Sequence, residues 1–163
     1  MTADQATAVA RAVGQQLQHD WMTTVKVIEA IPEVNKLWKP DEKSRSGWDL
    51  AVHLAESDLW FLDSILHQHF GASAKSGATT IAELAAWFKS EMPAKLEHVL
   101  AMPGAALAAD VEFFGTKSPN AQWLVMCAVH SAHHRGQLAA YLRPMGGKVP
   151  GIYGPSADEP YQM

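Results

Sequence analysis

Apolar residues return every three or four positions in four separate stretches of this chain, the signature of amphipathic helices. In the first stretch Val9, Val13, Leu17, Trp21, Thr24 and Ile28 share a face, and Pro32 stops the run, so a helix is expected over 3–31. Residues 33–45 are charged and follow a proline, which predicts an extended link across one end of the molecule. A second helix is expected over 46–70: Ser46 with Asp49 resembles a capping pair, and Leu50, His53, Leu54, Leu59, Trp60, Leu62 and Leu66 make a broad apolar face. A loop of small residues follows over 72–78.

Thr80 with Glu83 has the spacing of a capping box and opens a third helix over 80–101, which Pro93 should kink or split. Pro103-Gly104 breaks the chain, and Val111–Phe114 is too short to read as helix or strand, so no regular role is given to it. Ser118 before Pro119 predicts a fourth helix over 118–143 with proline in its first turn, ended by Pro144 and Gly146-Gly147. The tail, 144–163, should be irregular. The pattern predicts an all-α protein, an antiparallel four-helix bundle forming a single domain over 1–163.

Composition narrows the function. The chain has 163 residues, 48% of them hydrophobic, enough for one core. Its 13 basic and 17 acidic residues give a net charge of -4 without a basic patch, so neither nucleic acid nor an anionic membrane is an expected partner. The apolar run from Trp123 to Val129 is far short of the ~20 residues that cross a bilayer. One cysteine precludes an internal disulfide, and the first residues lack the apolar core of a signal peptide, which points to the cytoplasm.

The candidate chemistry lies in helix four, where Cys127-Ala-Val-His130-Ser-Ala-His133-His134-Arg135-Gly136-Gln137 places His130 and His134 one turn apart. Two imidazoles at that spacing can share a metal ion, as in zincins, but Ser131 stands where a zincin carries its catalytic glutamate. A site open to substrate needs a third donor. His133 points about 100° from His134 and is set aside, while His67, His69 and His98 sit in polar surroundings. His19 and His53 remain.

The segments WDLAVHLAE (48–56), HSAHHRGQLAAYLRPMGG (130–147) and GGKVPGIYGPS (146–156) closely resemble the DinB/YfiT-like family of candidate metalloenzymes, over nearly the whole chain. The resemblance implies a four-helix bundle in which His53, His130 and His134 bind a divalent metal such as zinc or nickel. Three imidazoles also suit iron and copper. Relatives in the wider superfamily use low-molecular-weight thiols as cosubstrates, which implies a small-molecule substrate and a metal-dependent thiol S-transferase.

Two other readings stand beside it. One is a hydrolase in which Glu56, a turn after His53, serves as base. The other is a non-catalytic, metal-stabilised stress-response module, for which Cys127 would be the fourth ligand. Gln137, a turn beyond His134, could bond a ligand or water at the open site, and Tyr141 could reach the same cavity. Trp21, Trp60 and Trp123 should pack between helices, and Arg135 should pair with a carboxylate that positions helix four. The row Val125, Val129, Ala132, Gly136 and Ala139 permits close helix approach, and with the family resemblance it leads to an expected homodimer.

Overall fold

The computed structural model describes residues 1–72 and 75–161. Its long helices are α1 (Ala3–Glu29), α2 (Gly47–His67), α3 (Ile81–Leu100) and α5 (Asn120–Leu142), with a short α4 (Gly104–Ala108) and a two-stranded hairpin, β1 (Asp110–Phe113) and β2 (Thr116–Pro119), between α3 and α5. α5 packs against α1 and α2, and α3 packs against the same two from the other side, so the four long helices close a ring around one core. Leu54, Leu59, Leu62, Phe88, Leu96 and Leu124 are among its fully enclosed side chains. Truncating one such leucine to alanine removes about 2–5 kcal/mol.

The helix starts follow local chemistry. Thr2 and Thr80 each form a complete capping box, with Gln5 and Glu83 respectively, and the Ser46 side chain accepts from the Asp49 amide. Each such cap contributes about 1 kcal/mol. Glu33 adds a second anchor for α3, its carboxylate accepting from the Ile81 amide at 2.9 Å. α2 ends at Gln68, whose φ of 54° turns the chain out of the helix, three residues before Gly71.

Three expectations are corrected. The 33–45 link is not simply extended: Glu33–Asn35 form a 3-10 turn, tied by Asn35 to the carbonyl of Met145 at 2.9 Å. Val111–Phe114 does have a regular role, because residues 111–113 belong to β1, which pairs antiparallel with β2. The hairpin is held from outside by the buried Trp123 indole, which donates to the Val111 carbonyl at 3.0 Å, a partner that local sequence could not reveal. Ser118 and Pro119 accordingly lie in β2, and α5 begins at Asn120, whose amide donates to the Ala109 carbonyl and whose side chain donates to that of Ala106.

Pro93 does not split α3; it sits on the exposed side of a continuous helix. Residues 148–161 lack regular structure, as expected of the tail. Ser73 and Ala74 of the expected loop, and Gln162 and Met163, lie outside the described residues. No helix among the described residues is long and apolar enough to cross a membrane.

Candidate metal centre

α2 and α5 are neighbours in the ring, and their packing brings His53 to the His130–His134 pair. Each of the three rings offers a nitrogen, and these atoms all lie within 4.8 Å of one another. Nε2 of His53 and Nε2 of His134 are 3.3 Å apart. Two donors bound to one tetrahedral zinc-like ion at 2.0–2.1 Å stand about 3.3–3.4 Å apart, so this pair already has the spacing of a shared ion. The cluster is half-buried between the two helices rather than sealed in the core.

The rings are held from behind. His134 Nδ1–H donates to Gln137 Oε1 at 3.1 Å, and the Gln137 amide nitrogen donates to the Tyr141 hydroxyl at 3.4 Å, so the lone pair of Nε2 faces the cluster. His53 Nδ1 shares a 3.2 Å hydrogen bond with Ser57 Oγ, one turn further along α2. His130 Nδ1 is buried without a hydrogen-bond partner. An orphaned buried ring nitrogen is unfavourable unless something outside the protein completes it. Phe61 packs against the His130 ring, with centroids 5.7 Å apart.

Electrostatics keep the donors available. Burial, then the charge of Arg45, pushes the His53 pKa down to about 4. Burial, then the neighbouring His134 and His53, does the same for His130. Burial also lowers His134, opposed by its bond to Gln137. Neutral imidazoles at neutral pH are the form that binds a metal. The residues present therefore fit a divalent ion: three neutral nitrogens converge, and no carboxylate or thiolate belongs to the cluster among the described residues.

The other candidates have different places. His19, His67, His69 and His98 are exposed, and so is His133, although its ring lies 4.8 Å from that of His134. Cys127 is buried, donates toward the Asp58 carbonyl at 3.8 Å and has its pKa raised by burial, so it is no fourth ligand. Glu56 is buried, with Oε2 taking Lys75 Nζ at 2.8 Å and Oε1 taking the Ser76 amide at 3.1 Å; the carboxylate holds the loop before α3. Gln137 touches a histidine of the triad. Trp60 and Trp123 join an aromatic group with Phe70 and Phe113, beside Phe61.

Arg135 is paired as expected. It is 1% exposed and forms a 2.9 Å ion pair with Asp20 of α1, with further bonds to Thr24 and to the Tyr153 hydroxyl of the tail. Reading the sequence missed two supports, Ser57 and Asp58, whose Oδ2 accepts from Ser131 Oγ at 2.7 Å, and the charge of Arg45. For Ser57 the signal was its four-residue spacing from His53; the other two depend on elements meeting in space.

Fold and site together define a four-helix bundle with a histidine triad able to hold a metal ion. The DinB family model matches residues 7–162, and the chain belongs to the DinB family. Two solved structures are similar, each at 21% identity: a DinB-like protein from Bacillus cereus ATCC 10987 (TM-score 0.75, covering 88% of this chain and 97% of that one) and the DinB-like YjoA of Bacillus subtilis (TM-score 0.72, covering 84% and 94%). The uncharacterised protein YrdA of Bacillus subtilis (strain 168) is 43% identical over 49 residues, a segment spanning 30% of this chain and 29% of that protein.

Proposed function

We propose that His53, His130 and His134 bind a divalent metal ion, zinc or nickel before iron or copper, and that the protein is a metal-dependent S-transferase acting with a low-molecular-weight thiol. The observation that carries this reading is the donor set: three neutral ring nitrogens within 4.8 Å, with no anionic ligand among them. An ion bound there would keep its full charge, and so would lower the pKa of a thiol or water at its open position. Gln137 and Ser57 keep the rings turned inward, and the Phe61 ring lies against that of His130. In the transfer the thiol gives its proton to solvent, its sulfur attacks an electrophilic carbon, a C–S bond forms, and the leaving group departs with the bonding pair.

Hydrolysis is the second reading, with Glu56 as base. Thiol transfer is preferred because the Glu56 carboxylate is committed to Lys75 and Ser76. A small-molecule substrate, a cytoplasmic setting and a homodimer complete the proposal. For the last, Met126, Val129 and Gly136 face outward on α5 while Ala139 turns inward, and a monomeric mass at micromolar concentration would contradict it.

The deciding experiment is metal analysis of protein purified without an affinity tag, followed by electrophile consumption with and without added thiol. Consumption should require both metal and thiol and disappear in His134→Ala while helical circular dichroism is kept. Activity that needs no thiol but is lost in Glu56→Gln would establish hydrolysis instead.

A further inference from the structure

Two glycines let neighbouring elements come close to α1. A methyl group at Gly14 would stand 2.3 Å from Cδ2 of Leu100, the last residue of α3, and one at Gly104, the first of α4, would stand 2.8 Å from the Ala3 carbonyl oxygen. With a larger residue at either position the partner would have to move, so the end of α3 and the start of α4 lie directly on α1. Between the three helices remains a hollow of about 320 Å³, a size within the about 300–1,000 Å³ of small-molecule sites. No residue of α2 or α5, the helices that carry the triad, lines it.

Its floor and its rim differ in chemistry. Ala10 and Leu107 are buried and Leu100 is half-buried, which gives an apolar floor with one residue from each helix. The rim is Arg11, Gln15 and Gln18, exposed residues at i, i+4 and i+7 that share one face of α1. No carboxylate lines the hollow, and Arg11 has no ion pair among the described residues. Gln16, outside the hollow, is by contrast spent on Asp20 at 2.8 Å. The floor suits hydrocarbon, and an unpaired guanidinium beside two amides suits a planar anion that accepts from several N–H donors at once.

We propose that this hollow is a binding site for a small organic acid, its apolar chain on Ala10, Leu100 and Leu107 and its carboxylate held by Arg11 with Gln15 and Gln18. Charge complementarity selects this occupant, because the rim offers a positive charge that no protein group neutralises. The site is separate from the metal centre and stands whether or not the triad holds an ion.

The test uses the full chain with isotope-labelled leucine methyl groups and glutamine side-chain amides, titrated with octanoate, octanol and acetate and followed by NMR. Octanoate should shift the signals of Leu100, Leu107, Gln15 and Gln18. Octanol, with the same chain length but no charge, should bind about tenfold more weakly, and acetate, with the charge but almost no chain, about a hundredfold more weakly. Arg11→Gln should lower octanoate affinity to that of octanol and leave octanol binding within about twofold, because the difference resides in the guanidinium–carboxylate pair. Lys117→Gln, an equal loss of charge on the hairpin, should leave both affinities unchanged.

Shifts that miss these four residues, equal affinity for octanoate and octanol, a preference that survives Arg11→Gln, or one lost equally in Lys117→Gln overturns the inference. So does a change in the same signals with protein concentration alone, which would make a second copy of the chain the occupant. Each of these outcomes leaves the metal-site reading where it stands.

Discussion

Nδ1 of His134 stands 3.1 Å from Oε1 of Gln137, a bond made within a single turn of α5 that sets which ring nitrogen faces the cluster. Removing such a support from a metal-ligating histidine typically weakens affinity 10–100-fold. Gln137→Leu should therefore lower metal affinity by about that factor without changing helical content, measured by competition against a chelator. An unchanged affinity would mean that the bond does not orient the ligand.

Asp20 and Arg135 form the most enclosed ion pair of the molecule's described residues, α1 to α5, at 2.9 Å. Deleting one partner strands a buried charge, which costs about 3–5 kcal/mol, whereas replacing both with apolar side chains is often nearly neutral. Asp20→Leu should be strongly destabilising in denaturant melts, and adding Arg135→Met should restore much of the loss. Additive losses in the double variant would contradict this account.

Asp58 is fully buried, and burial raises its pKa from 3.8 to about 7, against the opposing effects of Ser131 and Arg135. The folded protein then holds a proton that the unfolded chain has released between about pH 4 and pH 7. The contribution of Asp58 to stability is therefore fully present below its unfolded pKa and is lost as pH rises through its folded value. Asp58→Asn, which cannot ionise, should gain in melting temperature relative to wild type as pH goes from 5 to 8. A constant difference across that range would show that Asp58 is not protonated in the fold.

Phe114 and Gly115 have φ of 48° and 74°, the two positive values that a tight type I′ hairpin turn requires. Glycine adopts this freely, but a phenylalanine pays about 1–2 kcal/mol, and Phe114 is 91% exposed. Phe114→Asn should raise the melting temperature by about 2–4 °C, as asparagine tolerates the left-handed region. A fall would show that stacking on Phe113, with ring centroids 4.3 Å apart, outweighs the strain.

The four long helices were legible because their causes are local: apolar residues at three- and four-residue steps, and caps at Thr80 and Ser46 that act within one turn. The His130–His134 pair was legible for the same reason. Pro93 did not divide α3, since a proline on the exposed face of a well-packed helix is carried by the contacts of its neighbours. The hairpin was missed because strand pairing and the Trp123 hydrogen bond join residues whose meeting no local pattern encodes. Glu56 was legible as a carboxylate near His53, but its engagement with Lys75 and Ser76 was not.

By itself the sequence determined the helical segments, one i, i+4 pair of imidazoles, and the kinship in which His53 acquires its meaning. Tertiary structure decided that His53 meets His134, 81 positions away, that Gln137 bonds the His134 ring, and that Cys127 is withdrawn into the core. The physical reason is range. Helix formation and capping act over about four residues, whereas a coordination sphere and its charge environment are assembled by packing between elements.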